Sequence, residues 1–304
     1  MHTVLFSSSF VLAILTTQAV GASKHIKRHS PTALTPSEIN AYAPLTRFAS
    51  AAYCQTDTTQ SWTCGDDCAA NADFKPVAVG GNGLSVQFWY VGFSPSLNSV
   101  IVAHQGTDNT KLEPLLTDAM ILLRSLDPGL FPGLSSNILV HAGFAGTHAQ
   151  TATAILSAVR QTITKYQAKQ VTIVGHSLGG ALALLDGVYL PLHIKGVSFR
   201  TVTYAMSKVG NQAFADYVDA NVSLTHINNK DDPIPRLPPA IPLLLDYHQT
   251  SGEIHIVENG NWISCPGQEN PSPKCTSSNT RTDIKDHYGP YNGVIMGGAC
   301  AKVS

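Results

Sequence analysis

Ser177 lies in Gly175-His176-Ser177-Leu178-Gly179-Gly180, and this spacing of small residues around a serine is where the chain can do chemistry. The apolar run Gln170-Val171-Thr172-Ile173-Val174 precedes it and the helical stretch Ala181-Leu182-Ala183-Leu184-Leu185 follows. That succession predicts a strand, a sharp turn and a helix, with the serine at the turn. The glycines let strand and helix approach closely, so that Oγ stands clear of the sheet. The N-terminal N–H groups of the following helix then face a reacting oxygen. A neutral serine hydroxyl is a weak nucleophile, so the chemistry also demands a histidine to take its proton and an acid to orient that histidine.

Candidates for both partners lie downstream. The acids include Asp186, Asp216, Asp219, Asp231, Asp232 and Asp246, and the bases include His193, His226, His248, His255 and His287. Spacing does not choose among them. Local sequence favours the segment Asn228–Pro235, which follows a predicted strand and runs into the stiff Pro235-Arg236-Leu237-Pro238-Pro239. Asp286-His287-Tyr288-Gly289 puts a histidine in a turn-rich loop able to fold back over a sheet edge. His255, in the alternating Ile254-His255-Ile256, reads as a strand residue, and His176 as a residue packed beside the nucleophile. Asp186 reads as a local polar partner on its helix and Asp231 as solvated.

The elements that must position these groups alternate along the chain. Strands are predicted at Leu84–Phe93, Ser99–Ala103, Leu139–His141, Val171–Val174, Phe199–Tyr204, Leu224–Asn228 and Ile254–Val257. Helices are predicted at Thr35–Ala52, with Pro36 in its first turn, at Ala149–Tyr166 and around Gln212–Val218; Cys54–Pro76 reads as a cysteine-bearing loop. This order predicts an α/β fold, a mostly parallel central sheet covered by helices on both faces. No linker interrupts it, so 29–304 is read as one domain.

The ends and the composition set the compartment. Met1-His2-Thr3, the apolar Phe10-Val11-Leu12-Ala13-Ile14-Leu15 and the small residues Ala19, Gly21 and Ala22 predict a secretory signal peptide over 1–22. The dibasic Lys27-Arg28 makes 23–28 a candidate propeptide, and its removal would take the formal charge from −1 to −4. Charged residues are 13% of the chain, with no Lys/Arg run, which excludes an electrostatic nucleic-acid binder. No later stretch predicts a transmembrane helix. Six cysteines behind a leader predict disulfides, formally 15 pairings. Spacing suggests the local loops Cys64–Cys68 and Cys265–Cys275, leaving Cys54 for Cys300; no second close pair completes a zinc site with Cys64 and Cys68. Asn221-Val222-Ser223 is a sequon, so Asn221 is a candidate N-glycosylation site.

Together, Val171–Gly180 and Asp232-Pro233-Ile234-Pro235-Arg236-Leu237-Pro238-Pro239 resemble the fungal class 3 lipase family, in which an Asp lies three residues before the first proline of a V-P-x-x-P-P run. Gln105-Gly106-Thr107 and His141-Ala142-Gly143-Phe144 fit the same resemblance, which extends from about Ala49 to Cys300. Pro266–Asn270 and Asp286–Gly289 look most like its secreted mono- and diacylglycerol lipase branch. The resemblance implies an α/β-hydrolase fold with a nucleophile elbow and a lid, and a triad of Ser177, Asp232 and His287. It also implies an oxyanion hole from the N–H groups of Leu178 and Thr107, with the Thr107 hydroxyl as a further donor. Leu112, Leu115 and Leu116 are the implied lid residues, and the apolar 239–245 stretch a candidate acyl-pocket or lipid contact. The implied substrate is an acylglycerol ester at a lipid–water interface, with no cofactor and no metal. A feruloyl-type or general carboxylesterase of the same fold, a phospholipase and an inactive binding scaffold are the alternatives. Two positions depart from the family: His104-Gln105 replaces an aromatic-Arg pair before Gly106, and Pro233 follows the implied acid.

Overall fold

A computed structural model describes residues 30–107, 122–239 and 245–300. The expectations for 1–28, for Leu112, Leu115 and Leu116, and for most of the 239–245 stretch lie outside the described residues. In chain order the strands are β1 (Thr32–Ala33), β2 (Lys75–Gly80), β3 (Trp89–Ser94), β4 (Ser99–His104), β5 (Leu123–Ser125), β6 (Leu139–His141), β7 (Gln170–His176), β8 (Ser198–Tyr204), β9 (Leu224–Asn229), β10 (Glu253–Ile256) and β11 (Trp262–Cys265). The helices are α1 (Pro36–Asn40), α2 (Ala43–Ala51), α3 (Thr56–Ser61), α4 (Asp66–Ala69), α5 (Ala142–Tyr166), α6 (Leu178–His193) and α7 (Gln212–Asn221).

Nine strands form one sheet in the order β1-β11-β10-β9-β8-β7-β4-β3-β2. The middle five, β4 and β7 to β10, run parallel, and both flanks are antiparallel. β4 is buried along its whole length because helices cover both faces, and its alternate side chains separate into two cores. Val100 and Val102 join Val171 and Ile173 in the core under α5 and α6. Ile101 and Ala103 join Val174 in the core under α2, with Leu45, Phe48 and Ala49. Cys54–Cys300, Cys64–Cys68 and Cys265–Cys275 are disulfides, the first joining segments 246 residues apart. Such a long closed loop restricts the unfolded chain most.

Several elements differ from the sequence expectation for local reasons. The Thr35–Ala52 helix breaks into α1 and α2, because Pro44 has no N–H for the carbonyl four residues back. The Cys54–Pro76 loop contains α3 and α4 and runs into β2, a partly exposed edge strand with weak alternation. The strand expected from Leu84 starts at Trp89, since Asn82 Oδ1 accepts the amides of Leu84, Ser85 and Val86 and curls that segment into a loop. α5 starts at Ala142, seven residues early, because His141 Nδ1 caps it by accepting from the Gly143 and Phe144 amides. β6 pairs with β5 in a separate two-stranded sheet.

Asp186 corrects another expectation: its partners are distant, not local. His104 Nε2, at the end of β4, donates to Oδ2 at 2.7 Å, and His148 Nε2, on α5, donates to Oδ1 at 2.9 Å. Burial pushes the Asp186 carboxyl up, but the hydrogen bonds and attraction of the two imidazoles outweigh this and hold it down at about 2.

Two stability outcomes follow. A Cβ on Gly175 would lie 2.1 Å from the Gly179 carbonyl oxygen, whereas one on Gly146 in α5 meets nothing within 4 Å. Gly175→Ala should therefore destabilise by about 3 kcal/mol or more and Gly146→Ala stabilise by about 0.5–1 kcal/mol in urea unfolding. Because the folded carboxyl of Asp186 titrates below its ordinary 3.8, its contribution is present above that value and lost as pH falls through about 2. Asp186→Asn should flatten the fall in stability between pH 4 and 2 by about 2 kcal/mol, read by unfolding at each pH.

Candidate active site

β4, β7 and β9 are parallel, so the residues following them gather at one edge of the sheet. Ser177 follows β7 with φ 57° and ψ −127° and leads straight into α6. Positive φ in a non-glycine residue costs of order 1–3 kcal/mol and persists only where its surroundings enforce it. Here the Ser177 amide donates to the Tyr204 carbonyl at the end of β8, at 2.9 Å, and its own carbonyl accepts the first helical bond from Gly180. The close passage of Gly175 against Gly179 leaves no room for a wider turn.

Asp232 and His287 meet although they are 55 residues apart. Asp232 sits in the turn after β9, where its Oδ1 accepts the Ile234 amide at 2.9 Å. Its Oδ2 accepts from His287 Nδ1 at 3.0 Å, and both side chains are buried. His287 lies in the 3-10 turn Ile284–Tyr288, started by Asp283 accepting the Lys285 amide. With Nδ1 donating, Nε2 is left as the basic nitrogen. Among the described residues, three buried polar atoms here have no hydrogen-bond partner: Ser177 Oγ, His287 Nε2 and Thr107 Oγ1. Buried polar atoms are mostly paired, and here the unpartnered ones are the hydroxyl of the serine turn, the imidazole nitrogen turned away from Asp232 and the Thr107 hydroxyl, groups able to engage a reacting ester. Ser177 Oγ and His287 Nε2 are not hydrogen-bonded to each other; such contacts often tighten only around a substrate.

His176 supports the same loop. Its Nε2 lies 2.7 Å from the His287 carbonyl oxygen and must donate, so its Nδ1 accepts the Tyr53 hydroxyl at 2.6 Å. Burial, then the neighbouring His287, push its pKa well down, which keeps the ring neutral. Tyr291 Oη donates to the same His287 carbonyl at 3.2 Å. Neither tyrosine carries a motif that sequence reasoning could have used. A Cβ on Gly106 would lie 2.1 Å from Tyr53 Oη and 2.5 Å from the His176 carbonyl oxygen, so the turn carrying Thr107 rests directly on the serine strand.

The other candidates are engaged elsewhere. Asp231 is buried rather than solvated: Arg281 Nε and Asn279 Nδ2 bond its two oxygens at 2.9 and 2.8 Å. His193, His226 and His255 contact backbone carbonyls, and His248 pairs with Asp246 and Glu269. Asp216 and Asp219 each accept from Gln268 Nε2. Glu253 lies beside Cys265 and Cys275, whose disulfide leaves no thiolate for a metal. Asp231, Glu258 and Asp286 converge, but Arg281 and Lys230 lie against them. Asn221 is exposed at the end of α7.

Residues 101–241 match the family described as lipase (class 3). A secreted mono- and diacylglycerol lipase of Malassezia globosa is 30% identical over 209 residues, covering 67% of each chain. A second from that organism is 30% identical over 197 residues, 63% of this chain and 61% of the relative, so the match spans about three fifths of that protein. The lipase of Rhizopus microsporus var. chinensis superposes with a TM-score of 0.76 at 26% identity, covering 88% of this chain and 92% of that one. A triacylglycerol lipase whose catalytic centre is described as a serine protease triad gives 0.77 at 25% identity, over 89% of this chain and all of the other. These neighbours share the α/β-hydrolase fold. With the serine turn, the strand order and two thirds of the sequence aligned to such relatives, the chain belongs to the class 3 lipase family.

Proposed function

We propose that the protein is a secreted serine hydrolase that cleaves acylglycerol esters through an acyl-enzyme. The observation that carries this reading is the set of buried, unpartnered atoms Ser177 Oγ, His287 Nε2 and Thr107 Oγ1 beside the His287–Asp232 hydrogen bond. In the reaction, Ser177 Oγ attacks the ester carbonyl carbon while His287 Nε2 takes its proton. The carbonyl oxygen becomes an oxyanion, held by the amides of Leu178 and Thr107 with the Thr107 hydroxyl beside them. His287 returns the proton to the departing alcohol, leaving the acyl group on Ser177. Water then attacks the acyl carbon, again giving its proton to His287, and the acid leaves as Ser177 Oγ regains its hydrogen. Asp232 keeps Nδ1–H aimed at itself and stabilises the charged imidazole in each half.

The relatives named mono- and diacylglycerol lipases support the acylglycerol class. Their names as secreted proteins, the three disulfides and the expected leader over 1–22 support export, followed by a single catalytic domain over 29–304 and a glycan at Asn221. Among the described residues no helix is long and apolar enough to cross a membrane.

Hydrolysis of monoolein, diolein, triolein and methyl ferulate by the purified protein tests this reading. Acylglycerol turnover that disappears in Ser177→Ala is expected; turnover of ferulate alone would move the protein to the aromatic esterases. Ser177→Ala should lower kcat by about 10⁴-fold or more while the far-UV circular dichroism is retained. Asp232→Asn should cost about 10⁴-fold by mis-setting the His287 tautomer. Asp231→Asn should stay within about 3-fold, because its ion pair is with the 71% exposed Arg281. The reverse ranking of the two aspartates would sink the assignment.

A further inference from the structure

Behind the strand that leads to Thr107 lie three buried titratable side chains that the proposed reaction does not use. His104, the last residue of β4, and His148 on α5 each donate to one oxygen of Asp186 on α6. All three are at most 1% exposed. The stretch around Ser177 also includes Gly179, seven residues before Asp186 and therefore on the same face of α6. A Cβ on Gly179 would lie 2.4 Å from the His104 carbonyl oxygen and 2.7 Å from the Gln105 carbonyl carbon. α6 thus grips His104 twice, at its peptide through Gly179 and at its ring through Asp186.

The two grips bracket the two amides proposed to bind the oxyanion. Thr107 lies three residues after His104, and Leu178 lies immediately before Gly179. The far side of the strand is held as well: the Gln105 amide donates to the Phe88 carbonyl and the Phe88 amide to Gln105 Oε1, each at 2.8 Å. His148 occupies the second Asp186 oxygen and so keeps the carboxylate from rotating off His104.

We infer that the His104–Asp186 pair, backed by His148, is a positioning device that sets the separation of the Leu178 and Thr107 amides. The inference rests on the serine-hydrolase reading above. Oxyanion donors act only when aimed at where charge develops, and misplacement by about 1 Å can cost on the order of 100-fold. A pair that merely packed the core would change stability and leave turnover per intact site alone.

The test uses p-nitrophenyl butyrate and the purified full chain, with active sites counted by end-point titration with a p-nitrophenyl alkylphosphonate. Asp186→Asn and His104→Phe are expected to lower kcat per titrated site by about 10- to 100-fold, with KM within about 3-fold. The rate of phosphonylation should fall in parallel, since it too develops charge on that oxygen. His104→Gln, whose amide N–H reaches toward the Nε2 position, should recover part of the loss. Folded variants with unchanged kcat per site would overturn the inference. Failure of all three to fold would overturn it too, because the pair would then be a requirement of the core. If the unsubstituted protein neither turns over the ester nor becomes phosphonylated at Ser177, the hydrolase reading itself fails, and this inference with it.

Discussion

The turn from β7 into α6 places a strand end and a helix start so close that only glycine fits at Gly175 and Gly179. That closeness drives Ser177 into a positive-φ backbone conformation. A turn of this kind is strained, and the strain is held by burial on both sides: β7 contributes to two cores and α6 is buried for most of its length. The same contact lays the His104–Gln105 peptide against α6 and the Gly106 turn against His176. The positions of Thr107, Leu178 and the His176 ring therefore depend on one steric constraint.

Electrostatics complete what sterics begin. Asp232 and His287 face each other in a dry environment, where a hydrogen bond to a charged acceptor is stronger than in water. A second charge close to an imidazole proposed to accept a proton would oppose it. His176 lies with its ring centroid 4.5 Å from that of His287 and is kept neutral by burial and by His287 itself. Its two nitrogens are committed, one to the Tyr53 hydroxyl and one to the His287 carbonyl. It can thus hold the loop of the proposed base without competing for the proton. The Asp186 carboxylate is likewise surrounded by donors and stays charged within the core.

The Cys54–Cys300 bridge secures the N-terminal layer to the C-terminal segment, and Tyr53 beside it reaches the centre of the site. Tyr291, from the C-terminal side, meets the same His287 carbonyl. The two ends of the described chain therefore converge under the proposed base, and the parallel strands supply the serine and the acid from above.

The sequence by itself determined the serine turn, the alternation of strands and helices, and the candidate pairing of the six cysteines. Most of this is local: glycine spacing, apolar runs and the short Cys64–Cys68 and Cys265–Cys275 intervals act through near neighbours, and the distant Cys54–Cys300 pair was what these left over. Residue types and spacing left five histidines and six aspartates open, and only family resemblance singled out His287 and Asp232 before the fold brought them together. Asp186 and Asp231 show the limit most plainly. Each read as a local or solvated acid, yet each is buried against groups 38 or more residues away. The His141 cap of α5 and the Tyr53–His176–His287 line were equally hidden, because histidine and tyrosine carry no positional signal of their own. Tertiary structure decided these, since a hydrogen bond inside a core depends on which strands lie side by side, and strand order is a property of the whole sheet.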